Sequence, residues 1–256
     1  MILVETKKFY AAKAWSCLLT ALFLSCFFSA GARAAEENEL ISKYKKLAHA
    51  NKVVQKINYL PFSAITGGCY ARSLYMGMEL TVKKIPVNNQ YIFGKLRPQG
   101  ANWRWHVAPI YKISDDEAYA LDPSFSKQPI ELESWVKLTN PKEKPSLGLS
   151  PISHYRRKSS FIQQQSMKKA PGYSWDTIGD GLDDIPEYNI KNIADACQTA
   201  WSYIGLEKIP EREKEKKREY LEKRTNYLVD MLIKMNKLSE GAKIEECETG
   251  TYSGTL

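Results

Sequence analysis

The stretch from Trp103 to Pro123 leaves this chain fewer choices than any other. Trp103 to Ile113 is dense in aromatic and β-branched side chains, which suit a pleated, half-buried surface. Ser114-Asp115-Asp116 supplies a turn, and Glu117 to Leu121 returns as a partner strand. Asp122-Pro123 then closes the hairpin, because proline cannot donate to a central ladder. The hairpin carries His106 on one arm and Asp122 at the end of the other. Trp103, Trp105, Val107 and Tyr111 alternate along the first arm and are expected on the face opposite His106, as core.

Helices are predicted on either side of this sheet. Residues 38–57 place Leu40, Ile41, Tyr44, Leu47 and Ala48 at helical spacing. Pro61 interrupts the chain, Gly67 and Gly68 end one element, and good helix formers follow, so that Cys69 falls in the first turn of a helix running to about Leu80. Tyr91 to Leu96 reads as a further strand, and Glu131–Leu138 as a short helix or loop containing Trp135. From about Thr139 to Pro186 periodicity is weak, and the run Gln163-Gln164-Gln165 falls in an expected loop or linker. Ile190, Ile193, Ala194, Cys197, Trp201 and Ile204 then mark an amphipathic helix. Pro210 opens a second helix, where a missing N–H costs nothing. The two form a C-terminal helical hairpin whose default role is packing, with a regulatory partner at these helices as a further expectation. The fold class is α+β.

The first 34 residues read differently. Lys7, Lys8 and Lys13 precede an uncharged apolar run from Ala14 to Ala30, which ends in Gly31-Ala32-Arg33-Ala34. A basic start, an apolar middle and a small-residue exit describe a secretory signal peptide cleaved after Ala34. A retained anchor is the competing reading, since the run nearly reaches the length of a membrane span. Cleavage would leave no stable membrane insertion and a secreted or periplasmic protein. The expected division is 1–34 signal peptide, 35–140 core, 141–186 irregular region and 187–256 helical hairpin and tail. The formal charge of +8 includes Lys7, Lys8, Lys13, Arg33 and Glu5 of that leader, so it falls to +5 on cleavage. That is mildly basic, with no cationic stripe interleaved with aromatics, and a nucleic-acid partner is not expected.

Cleavage also takes Cys17 and Cys26, leaving Cys69, Cys197 and Cys247. An odd count in an oxidising compartment leaves a thiol unpaired within the monomer. The simplest division pairs Cys197 with Cys247 and leaves Cys69 free; two free C-terminal thiols are the alternative. A thiol attacks a carbonyl carbon as its thiolate, and a helix N-terminus and a nearby imidazole both favour that anion. Of His49, His106 and His154, only His106 sits in a strand that can hold its ring rigidly. Asp122 is placed by the hairpin to steady the ring's other nitrogen, whereas Asp115 and Asp116 lie at the turn. The bland readings are a buried hydrophobic cysteine, a structural histidine and a common Asp-Pro turn starter.

Three blocks weigh against the bland readings. Gly68-Cys69-Tyr70-Ala71-Arg72-Ser73, then Trp105-His106-Val107-Ala108-Pro109, then Leu121-Asp122-Pro123-Ser124-Phe125 resemble the bacterial protein-glutaminase family, in the family's order and at similar separations. The resemblance covers roughly Tyr59 to Leu138. It implies a papain/transglutaminase-like core, with a Cys-bearing helix packed on an antiparallel sheet. It also implies nucleophile, imidazole and carboxylate roles for Cys69, His106 and Asp122, and secreted enzymes that deamidate protein-bound glutamine without metal or cofactor. Protein or peptide substrates with exposed glutamine are the implied partners. Gly68, Tyr70 and Phe125 flank the triad and are candidate cleft residues. Two departures stand out. About 34 residues separate the expected cleavage site from Cys69, too few for the long pro-segment of the family's well-known enzyme, and nothing after about Thr139 has a counterpart. A cysteine peptidase, a transglutaminase or a non-catalytic exported binding module remain the alternatives.

Overall fold

A computed structural model describes residues 35–62, 68–114, 116–153 and 187–254. The expected signal peptide, His154, Asp115 and the glutamine triplet lie outside these residues. The chain divides into two compact units, residues 1–45 and 46–256. Among the described residues no helix is long and apolar enough to cross a membrane. The first helix, α1, spans 35–55, and its Lys43–Glu39 pair has i,i+4 spacing. Within the larger unit, Leu47, Ala50 and Val54, with Ile57 just past the helix, recur at three- and four-residue steps and are all buried.

The second helix, α2 (Cys69–Val82), is buried along nearly its whole length. Its sequence, CYARSLYMGMELTV, is apolar over most of its surface, as a helix enclosed between two layers requires, with Arg72, Ser73, Glu79 and Thr81 as buried polar exceptions. One layer is a five-stranded antiparallel sheet of β1 (Asn88–Leu96), β2 (Trp103–Lys112), β3 (Ala118–Ala120), β4 (Ile130–Glu131) and β5 (Ser146–Pro151). Its spatial order is β4-β3-β2-β1-β5. A single 3-10 turn, Pro98–Gly100, leads from β1 to β2, and α3 (Leu132–Leu138) follows β4 directly. The other layer is the pair α4 (Ile190–Gly205) and α5 (Glu211–Lys234), both packed on α2, followed by a small ribbon of β6 (Lys243–Glu246) and β7 (Thr251–Ser253). The α+β class, with a cysteine-bearing helix on an antiparallel sheet and a C-terminal helical hairpin, is what the chain adopts.

Two details differ from the sequence reading. The stretch 141–186 was expected to be irregular, yet Ser146–Pro151 pairs in register with β1, from Asn88 opposite Pro151 to Phe93 opposite Ser146. Its sequence, SLGLSP, carries glycine and proline and lacks β-branched residues, so pairing at the sheet edge overrides a weak local preference. Trp103 was expected opposite His106 but packs beside it, ring centroids 4.8 Å apart. Opposite it, β1 carries an extra residue between Phe93 and Leu96, with Gly94 at φ 144. Such a bulge sharpens the local twist, and Trp103 turns onto the His106 side.

The helical layer is fastened to α2 by polar groups as well as apolar area. Tyr75 and Thr225 share a hydroxyl hydrogen bond of 2.6 Å, and Thr81 and Tyr188 one of 2.9 Å. Glu79, buried on α2, accepts from Tyr59 at 2.8 Å and pairs with both Nε (2.7 Å) and Nη2 (2.5 Å) of Arg224 on α5. Removing one partner of a buried pair leaves a lone charge without water. Arg224→Met is therefore expected to lower unfolding free energy in urea by about 3 kcal/mol. Adding Glu79→Gln, which removes the stranded charge, should return part of that loss.

Candidate active site

Helix α2 begins at the sheet, and the residue before it decides how. Gly68, its N-cap, sits at φ 74 in the left-handed region, where a side chain is disfavoured. Space is restricted there too, since a Cβ on Gly68 would lie 3.0 Å from Cε2 of Tyr203. Cys69 is thus the first helical residue, and its backbone N–H has no partner within the helix. No acidic side chain occupies the first turn, so the positive end of the helix dipole is left to the sulfur. Cys69 is 8% exposed and is the free cysteine among the described residues. Cys197 and Cys247 form a disulfide that joins α4 to the chain just past β6.

His106 comes from the middle of β2 and Asp122 from just past β3. The ring's Nε2 lies 2.7 Å from Asp122 Oδ2. Both side chains are almost fully enclosed, at 1% and 3% exposure. A carboxylate so placed needs several donors. Asp122 has Trp135 Nε1–H donating at 2.9 Å to the same oxygen, and the Ser124 backbone N–H donating at 3.1 Å to the other. The second is the local turn that Asp-Pro-Ser favours. Phe125 stands edge-on to the imidazole, 5.5 Å between centroids, and Trp135 lies on it at 5.6 Å. The ring is held on its faces as well as at Nε2.

Charge follows from this enclosure. Burial by itself would pull the His106 pKa down, but the Asp122 charge and hydrogen bond, with smaller contributions from Cys69, push it up to about 9. For Asp122, burial favours the neutral acid. The His106 charge and hydrogen bond, the Trp135 N–H and the charge of Arg72 outweigh it and hold the carboxyl below its ordinary value. With Nε2 committed to Asp122, Nδ1 is the nitrogen that remains for the sulfur. The arrangement sets a thiol beside an imidazole, a group able to give or take one proton.

A cleft of about 340 Å³ opens here, between Cys69 and Arg72 of α2 and the segment from Asn102 to His106. That volume lies within the range of small-ligand sites. Of the candidate cleft residues, Gly68 caps α2, Tyr70 packs on Trp105 at 5.8 Å, and Phe125 packs on His106 and Trp103. Trp105, expected in the core, is half-buried and lines the cleft. Arg72, Asn102, Arg104, the Trp135 indole and Tyr203 were not singled out from sequence. Arg72 had a usable signal, one turn after Cys69 on the same helix face, while the others depend on tertiary placement. Among the described residues no group of acidic, histidine and cysteine side chains could hold a metal ion.

The fold and site define a thiol–imidazole–carboxylate centre at a helix–sheet junction. Residues 40–139 match the glutaminase family model, and over that segment the resemblance to the protein-glutaminases holds. Among solved structures, the chain is similar to the NMR structure of protein-glutaminase from Chryseobacterium proteolyticum. Identity there is 23%, coverage is 40% of this chain and 62% of that one, and the TM-score is 0.34. A crystal structure of protein-glutaminase matches at 18% identity over 52% of this chain and 80% of that one, TM-score 0.38. A mutant of pro-protein-glutaminase matches at 19% over 45% and 50%, TM-score 0.38. No curated protein matches the chain.

The pair makes a stability prediction that needs no substrate. His106 is raised from 6.5 to about 9, so its contribution is complete below about 6.5 and fades as pH rises through about 9. Asp122 is lowered from 3.8, so its contribution is present above that value and is lost on further acidification. Asp122→Asn should therefore cost about 3–5 kcal/mol in urea unfolding between roughly pH 4 and 6.5, with the deficit shrinking above pH 8.

Proposed function

We propose that this chain is an exported protein-glutamine glutaminase, a cysteine-dependent amidohydrolase that converts protein-bound glutamine to glutamate and ammonia. What carries the reading is that Cys69 and His106 line one cleft, with Asp122 bonded to the buried side of His106, within the segment that matches the glutaminase family. The basic, apolar and small-residue pattern of residues 1–34 supports export.

The reaction runs in two halves. The Cys69 thiolate adds to the carboxamide carbon, and the carbon–oxygen π electrons move to oxygen. The backbone N–H of Cys69, free of the helix ladder, faces that developing negative charge, and one such donor is worth roughly 3–4 kcal/mol in comparable sites. His106, protonated at Nδ1, gives its proton to the amide nitrogen as the carbon–nitrogen bond breaks and ammonia departs. A thioester remains on Cys69. Water then attacks the thioester carbon, losing a proton to the now neutral His106. Collapse expels the thiolate, and glutamate leaves with the imidazolium restored. Asp122 keeps Nε2 protonated and stabilises the charged ring in the first half, as the carboxylate does in other triads.

Ammonia release from casein by the mature protein tests this. Cys69→Ser and His106→Ala should each lower the rate by at least about a thousandfold, the scale seen when a nucleophile or its base is removed. Chain cleavage with new N-termini, or isopeptide cross-links, in place of ammonia and glutamate would contradict the proposal in favour of a peptidase or a transglutaminase.

A further inference from the structure

Helix α4 lies wholly outside residues 40–139, yet it sends a side chain to the head of the cysteine helix. The Tyr203 ring edge rests on Gly68. A Cβ built there would stand 3.0 Å from Cε2 and 3.2 Å from Cδ2, tight enough that a side chain at this position would have to push the ring aside. Gly68 is the neighbour of Cys69, so the ring borders the first turn of α2 where the sulfur and its backbone N–H emerge. The phenol also senses the charges of Tyr70, Arg72 and Cys69. Tyr203 is only half-buried, and among the described residues no protein hydrogen bond holds its hydroxyl. A large ring left half open beside a nucleophile has surface to offer a third party.

We propose that Tyr203 is a substrate-positioning residue: its ring, against Gly68 and outside the lining of the 340 Å³ cleft, extends that cleft past Cys69 as a wall on which the methylene stem of the bound glutamine side chain packs. The proposal names a substrate contact of the deamidase site and rests on that reading. It gives the helical hairpin a share in substrate selection as well as in packing. The anchoring of α4 supports it: Cys197, at mid-helix, is tied to Cys247 by a disulfide, and Asn189 caps the helix start by accepting from the Lys191 and Asn192 backbone N–H groups. A wall built on a pinned helix holds its distance from Cys69.

Two measurements on the full mature protein test it. The first is ammonia release from a glutamine peptide. Tyr203→Ala should raise KM about tenfold with kcat changed by less than about threefold, the size of a lost apolar contact in a binding site. Tyr203→Phe, which restores the ring, should recover KM. An unchanged KM in Tyr203→Ala overturns the proposal. The second measurement needs no glutamine. Cys69 is alkylated by iodoacetamide and by the bulkier N-phenyl iodoacetamide, and the ratio of rates is compared. Removing a wall should raise the bulky-to-small ratio about fivefold or more, with the iodoacetamide rate little changed. If both rates fall together, Tyr203 acts on the thiol and not on what approaches it, and the proposal fails. If the wild type releases no ammonia, the deamidase reading fails and the alkylation ratio alone decides the role of Tyr203.

Discussion

A carboxylate sealed beneath an imidazole is the contact on which this site depends. Asp122 has given up water and must be supplied with donors by the protein, or it would take a proton and release the ring. Three elements provide them: β2 brings His106, α3 brings the Trp135 N–H, and the turn after β3 brings the Ser124 N–H. The short β4 and the α3 that follows it are therefore more than an edge. They place an indole N–H where the carboxylate needs it, and the indole face against the imidazole. The far side of His106 is left for one partner, the sulfur.

That sulfur is located by a different set of forces. Helix α2 is pressed between the sheet and the α4–α5 pair, with few faces left to water. Its apolar residues fix its position along the sheet, and Gly77 shows how tightly, since a Cβ there would come within 2.3 Å of Ile152 Cγ1. The Glu79–Arg224 pair and the Tyr75–Thr225 hydrogen bond fix its rotation. The helical hairpin thus bears on the chemistry indirectly by seating α2, and its Tyr203 ring reaches the helix start itself. The arrangement holds a sheet-borne imidazole and a helix-borne thiol at one junction through apolar packing and these polar contacts together.

Much of this was legible in the residues. The Trp103–Pro123 hairpin, the helix after Gly67-Gly68 and the amphipathic pair after Glu187 each carry a strong local period, and each element forms within a few residues of its expected ends. His106 and Asp122 could be brought together because both lie on one short hairpin, where topology limits the options. What escaped was non-local. β5 has almost no strand character of its own and exists because β1 offers an edge. The Trp103 side chain changed faces because of a bulge in the opposite strand, invisible from its own alternation. The Trp135 N–H and the Tyr203 ring act across 13 and more than 130 positions of sequence, and nothing in their neighbours announces it. The resemblance of three short blocks could reach Cys69, His106 and Asp122 but not α4, which lies beyond the matching segment.

The most direct measurement is an NMR titration of the His106 ring in the protein, with the resonance assigned by its loss in His106→Ala. An imidazole paired with a buried carboxylate and facing Cys69 should stay protonated through neutrality and titrate at about 9. A ring that titrates at the ordinary value of 6.5 or below would mean that the Asp122 charge does not act on it as the structure requires, and the account of the site would be wrong.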